Sequence, residues 1–293
     1  ANRKYVPLSS EDEQRLFDDN MDNQKDYENR TIKDEAEKFS HSLLKRHLRS
    51  LLVSYDYQAA EKIINQKQYH ALLPKKDLSR LRNLLNDFVK VFKNQGLLSE
   101  IQHYPLSDVE KKALNYFLMI EVLKERGQVA DVLIKSKSFV EFILEEKIKE
   151  EHPDLIKFEG SLPKLNEEYE DFENLLLYLD SEFKQMRDLK EVEEIIYPYQ
   201  STLNLLSYTN ILSYYQASPD LLKSLSVITN LNGERNKVAH GLAEIDSRLI
   251  GRKKMNEVIA ALRNILQDSF AIDSSYFNYY QAKNEEMLTL LRK

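Results

Sequence analysis

Apolar residues recur at three- and four-residue steps along most of this chain. Phe39, Leu43, Leu44, Leu48, Leu51 and Leu52 form one such stripe, the pattern of an amphipathic helix with one face turned inward. Tyr55-Asp56-Tyr57 interrupts it, and Asp56 is placed to cap a following helix through Ala59, Ala60, Ile63 and Ile64. After Pro74 another stripe runs through Leu78, Leu81, Leu84, Leu85, Phe88, Val89 and Phe92. It closes at Gly96, a natural terminator. Residues 97–106 contain Pro105 and read as a connection.

Ser107 and Glu110 then stand at capping-box spacing, in which the hydroxyl takes a free amide and the carboxylate reaches back. The helix they open is expected to run to Gly127. A second long helix is expected over about 128–150, with Leu133, Val140, Ile143, Leu144 and Ile148 inward. Pro153 to Pro163 reads as a loop. Further helices are expected through Leu175 to Phe183, Leu203 to Tyr215, Leu221 to Leu231, 252–270 and 274–291. No segment alternates with period two for long enough to require a sheet, and no fixed-period repeat is present. Residues 1–30 are polar, and Asp18 to Asn23 is a run of turn formers, so this stretch reads as a tail with one short helix at most. The pattern predicts an all-α chain: a linker or tail over 1–30, a helical linker domain over 31–105, and a helical bundle over 106–293.

Composition supports helix over sheet, because only six Gly are spread over 293 residues. The net charge of −6 argues against a coat protein for long nucleic acid, yet leaves room for a local basic site. Cysteine is absent, which removes disulfides, zinc thiolates and thiol nucleophiles and fits a reducing cytoplasm. No apolar run approaches the ~20 residues of a membrane span, so no membrane partner is expected.

Candidate chemistry is sparse. Six scattered glycines build no phosphate loop, and the six His residues include no zinc-hydrolase pair on one helix face. The acidic pairs Glu145-Glu146 and Glu150-Glu151 read as solvated helix faces. One segment differs: Asn232-Gly-Glu-Arg-Asn-Lys-Val-Ala-His-Gly241 sets small and polar residues between two apolar helical stretches. A guanidinium such as Arg235 grips a phosphate through paired hydrogen bonds. An imidazole such as His240 exchanges a proton near neutral pH. RNA brings its own nucleophile, the 2′-hydroxyl, so a proton acceptor and a cation at the developing charge are enough, with no metal or cofactor in principle.

The spacing raises a geometric problem. Five residues on a straight helix rotate a side chain about 140° past a full turn. Arg235 and His240 therefore converge only if the helix breaks between them, for which Gly233 and Asn236 are suited, or if two copies meet across a two-fold axis. The alternative is that Arg235 bridges an acid and His240 caps a helix. The Arg-to-His spacing alone is about as frequent as chance, and Asn236 beside the arginine makes it rarer.

Arg235-Asn236, followed after three residues by His240, resembles the signature of HEPN-domain ribonucleases, an Arg, four to six residues, then His. Tyr55-Asp-Tyr-Gln-Ala-Ala60 resembles the helical linker of the type III CRISPR-associated ancillary ribonucleases, and Ala130 to Glu141 their opening HEPN helix. The resemblance covers roughly residues 30–293. It implies a metal-independent endoribonuclease that cuts single-stranded RNA to 2′,3′-cyclic phosphate ends where two HEPN domains meet in a homodimer. It also implies activation by cyclic oligoadenylate bound to an N-terminal CARF sensor domain. By position, Arg235 and His240 are then the catalytic pair and Asn236 the polar neighbour. The chain is expected to lack that sensor domain and so to be a truncated form without ligand control.

Lys237, Arg252 and Lys253, with Arg248 and Lys254 nearby, are candidate holders of substrate phosphates. For the last four, exposed helix charge is the simpler reading. Tyr208, Tyr214, Tyr215, Tyr276, Tyr279 and Tyr280 either stack bases or fill helix interfaces, and interfaces are the commoner use. The competing functional reading is a non-enzymatic helical adaptor with a degenerate site.

Overall fold

The computed structural model describes the backbone of residues 22–93, 95–231 and 251–292, with side chains from residue 36 onward. Among the described residues there are ten α-helices and one two-stranded hairpin, in keeping with the all-α expectation.

The first helix, α1 (Asp22–Val53), begins well before the stripe that predicted it. Its opening Asp22-Asn23 are turn formers that also suit a helix start, and nothing from 22 to 53 is Pro or Gly. The tail reading of residues 22–30 is thereby corrected. Leu48 and Leu52 are buried, whereas Phe39 and Leu43 are exposed. Asp56 caps α2 (Tyr57–Ile64), its carboxylate accepting from the Ala59 amide at 3.1 Å. α3 (Lys75–Phe92) then packs its Leu81, Leu85 and Phe88 row back on α2.

Ser107 and Glu110 form the full capping box that opens α4 (Asp108–Glu125). α5 (Val129–Glu151) packs along α4. The segment expected to be a loop instead forms a hairpin, β1 (Ile156–Glu159) with β2 (Leu162–Leu165), Ile156 opposite Leu165. Four-residue strands are too short to show a period-two signal. Gly160, at φ 65°, supplies the left-handed residue of the turn. The Leu203 amide donates to Pro163 O at 2.8 Å, tying the hairpin to the chain leading into α7.

α6 (Phe172–Met186) and α7 (Leu205–Tyr214) pack together, and α7 also rests on α5. Here Glu145 is no simple solvated charge: it accepts from the buried Tyr208 hydroxyl at 3.0 Å and pairs with Lys149 at 2.6 Å. α8 (Pro219–Thr229) and α9 (Arg252–Phe270) lie against each other, and α9 is pressed onto α4 and α5. The last helix, α10 (Tyr279–Leu290), contacts α1, α3 and α4. Tyr57, Phe88 and Tyr280 cluster at that junction with ring centroids 4.7 to 5.9 Å apart. Aromatic contacts of this size make the two ends of the chain share one contiguous core.

The tyrosines weighed for base stacking serve this packing. Tyr208, Tyr279 and Tyr280 are buried. Tyr214, Tyr215 and Tyr276 are partly buried against the core.

Candidate active site

The segment 232–250, with Arg235, Asn236, Lys237, His240 and Arg248, lies outside the described residues. Its two anchors are described. On one side α8 buries Leu221, Ser224, Leu225 and Ile228. The chain leaves it through Leu231, which is 4% exposed and donates its amide to Ile228 O at 3.1 Å. On the other side Gly251 opens α9, which buries Met255, Val258, Ile259, Ala261, Leu262, Ile265 and Leu266. The two helices pack on each other, so both ends of the segment are held by the bundle core.

The first turn of α9 carries the clearest electrostatic feature. Its N-cap is Gly251, with no side-chain cap and no acidic residue in the first turn. In place of acids it has Arg252, Lys253 and Lys254. Cations at a helix N-terminus oppose the helix dipole, each at a cost of roughly 0.3–1 kcal/mol. Arg252 and Lys253 are exposed and make no ion pair with a described residue. These exposed side chains at a helix N-terminus make the start of α9 a locally positive site among the described residues, the arrangement that attracts phosphate. Arg252 and Lys253 follow the motif segment directly in the chain.

Deeper in the bundle, α9 is fixed to α4. The Arg263 guanidinium donates to Glu121 at 2.6 Å and lies over the Phe117 and Phe277 rings, 5.9 and 5.1 Å from their centroids. Burial pushes the Glu121 carboxyl above its usual range, and Arg263 offsets only part of this. A second polar cluster sits at the far end of α5. His152 stacks on Tyr215 at 3.6 Å, with Nδ1 3.3 Å from the Tyr169 hydroxyl. Burial there holds the His152 pKa below its ordinary value, against the pull of Glu151 and Asp171. Neither cluster was foreseen, because each joins residues far apart in the chain. Among the described residues no group of three or more His, Cys, Asp or Glu could hold a metal ion. No described helix is long and apolar enough to cross a membrane.

Residues 91–288 match the family described as the Cas_Csm6 HEPN domain. The CRISPR system endoribonuclease Csm6 of Streptococcus thermophilus is 53% identical over 291 residues, 99% of this chain and 68% of that protein. This chain belongs to the Csm6 HEPN family. A Csm6′ endoribonuclease of the same organism is 30% identical over 94% of this chain and 60% of that protein. Csm6 of Enterococcus italicus, solved bound to cyclic hexa-2′-fluoro-hexa-dAMP, shares the fold at a TM-score of 0.71 and 24% identity. That match covers 86% of this chain and 58% of the solved one. The chain therefore spans between 58% and 68% of these Csm6 relatives. The Csm6 match takes in α4 to α9 and the whole 232–250 segment, so the arginine-histidine motif falls within the family's HEPN domain.

Proposed function

We propose that this chain is the RNA-cleaving part of a type III CRISPR ancillary ribonuclease, acting in the cytoplasm on single-stranded RNA. Arg235 and His240 are its catalytic pair and Asn236 their polar neighbour. Membership of an endoribonuclease family, with the motif inside the matched region, is the observation that carries this reading. The cations at the uncapped start of α9 support it, since they oppose helix stability and suit a phosphate.

In the proposed reaction the 2′-oxygen attacks the adjacent phosphorus, and the bond to the 5′-oxygen of the next nucleotide breaks. The 2′-hydroxyl proton leaves to an acceptor and the departing oxygen is protonated. The products are a 2′,3′-cyclic phosphate and a 5′-hydroxyl. His240 exchanges or orients the proton at the 2′-oxygen. Arg235 neutralises charge on the phosphorane oxygens. No step requires a metal ion. Lys237, Arg252 and Lys253 hold neighbouring phosphates.

The site is composite: two copies of 232–250 meet across a two-fold axis, each chain giving half. Residues 31–105 serve as a helical linker to a sensor domain outside this chain, and 106–293 form the ribonuclease domain. Cyclic oligoadenylate acts through that sensor, a reading supported by the ligand in the solved relative.

The test is cleavage of a single-stranded RNA in excess chelator, with the 3′ ends of the products identified and the oligomeric state measured. Cyclic phosphate ends, loss of cleavage in Arg235→Ala and His240→Ala, and unchanged folding are expected. Wild-type protein that leaves RNA intact at high concentration would overturn the assignment.

A further inference from the structure

A second basic site lies at the outer face of α1. Lys45 and Arg49 are four residues apart, and Ser42 sits one turn earlier on the same face. α10 is packed against α1, which brings Leu291 and Arg292 from the other end of the chain to the same place. Together with Arg46 these residues line a cleft of about 590 Å³. Four cations thus share one concavity in a chain whose net charge is −6.

None of the four makes an ion pair or side-chain hydrogen bond with a described residue. Some surface cations find acids among the described residues, as Lys137 does Glu141, Lys147 does Glu151 and Lys283 does Glu100, and others such as Lys62 and Lys76 do not; what sets these four apart is that they converge on one cleft. Like charges at helical i, i+4 spacing repel, so the arrangement costs stability as it stands. An anion seated between them relieves that repulsion.

One neighbour indicates which polyanion. Phe39 lies on α1 seven residues before Arg46, two helical turns away on the same face, and is 67% exposed. An exposed ring beside a row of cations is the combination that holds unpaired bases and their backbone.

We propose that this cleft binds single-stranded RNA: Lys45, Arg46, Arg49 and Arg292 hold backbone phosphates, and Phe39 stacks a base. It is an accessory substrate-holding surface, separate from the 232–250 segment. The proposal rests on the reading of the chain as a ribonuclease, which makes single-stranded RNA its substrate.

Binding can be separated from cleavage. In an Arg235→Ala/His240→Ala background, the affinity for an oligouridine of about twenty nucleotides is measured against salt, with and without Lys45→Gln/Arg46→Gln/Arg49→Gln. The expected result is affinity about tenfold or more weaker, with the log–log salt slope reduced by about 2, near 0.7 for each phosphate no longer neutralised. Phe39→Ala weakens binding with the slope unchanged. In the cleavage-competent protein the triple variant raises KM for the long strand and leaves kcat on a tetranucleotide unchanged. All these side chains are on the surface, and circular dichroism and melting confirm the fold. Equal affinity and slope in the triple variant would overturn the site even if wild-type protein cleaves RNA. Unchanged RNA affinity with altered self-association on gel filtration would make the cleft a protein interface instead. Absence of cleavage by wild type would overturn the ribonuclease reading without touching the binding measurement.

Discussion

Arg263 on α9 donates to Glu121 on α4 at 2.6 Å, and its guanidinium covers the Phe277 ring that precedes α10. One side chain thereby links the helix that follows the motif segment to two other parts of the bundle. The Glu121 side chain is 20% exposed and that of Arg263 38%.

Removing the guanidinium leaves a largely buried carboxylate without its cation. Arg263→Ala should cost about 1–2 kcal/mol at pH 7, the screened value for a half-buried charged hydrogen bond. The pH dependence gives a sharper test. Glu121 has its folded-state pKa raised, by burial first. The native state therefore binds that proton more tightly than the unfolded chain. Its destabilisation is full above the folded pKa and is relieved as pH falls through it. Denaturant melts of Arg263→Ala at pH 7 and pH 5 should show the deficit shrinking in acid, and Glu121→Gln should abolish that dependence.

Arg252 and Lys253 should separate stability from function by opposite signs. Arg252→Glu/Lys253→Glu places acids where the α9 dipole favours them. The melting temperature should rise, corresponding to roughly 0.3–1 kcal/mol per residue. RNA affinity should fall, with a salt slope shallower by up to about 1.4. Thermal melts and salt-dependent binding on the same preparation check both signs. A variant that binds RNA as tightly as wild type would show that these side chains do not hold substrate.

Asp180 on α6 is buried and holds the chain that returns from α6 to α7. It accepts from the amides of Ile196 and Tyr197 at 2.7 and 2.8 Å and pairs with Lys184 at 2.6 Å. Burial raises its pKa, but these donors outweigh burial and hold the net value below the usual carboxylate range. A carboxyl with a depressed folded-state pKa stabilises above its unfolded pKa, and that contribution is lost as pH falls through the folded pKa. Asp180→Ala should cost roughly 3 kcal/mol at pH 7, from two orphaned amides and an unpaired lysine. Hydrogen exchange at Ile196 and Tyr197 should accelerate with it. Unchanged protection at those amides would show that Asp180 does not hold the loop.

Ala271 closes α9 in the left-handed conformation, at φ 50°, and is exposed. That conformation suits glycine, and a Cβ there costs about 1 kcal/mol. Ala271→Gly should therefore stabilise the chain by up to about 1 kcal/mol in denaturant melts, with RNA cleavage unaltered. A loss of stability would mean that the entropy of the added glycine outweighs the relieved strain.

Local signals were legible where the physics is local. The Ser107-Glu110 capping box and the Asp56 cap needed only spacing, because their partners lie three residues away. The stripes of α3, α4 and α5 were visible because burial on one helix face repeats every turn. The hairpin over 156–165 was missed: four-residue strands have no length over which to alternate, and tertiary contact with Leu203 holds them. The start of α1 was set too late, since the same Asp and Asn residues serve turns and helix starts alike. The motif itself was legible as residue types, Arg235, Asn236 and His240 in order. It lies outside the described residues, so its convergence rests on the proposed two-fold pairing.

By itself, then, the sequence determined the helical class, most helix faces, several caps and the chemistry available in 232–241. These follow from periodicity and from side chains acting on their own backbone within a turn. Only the tertiary structure decided what residues distant in sequence do together. It set Arg263 on Glu121, packed Tyr57 against Tyr280, and brought Arg292 to Lys45 and Arg49. A stripe states that a helix has an inner face but not which helix will cover it. That choice is made by the packing of the whole bundle, and the surface charges on its outer faces meet their neighbours only as a consequence.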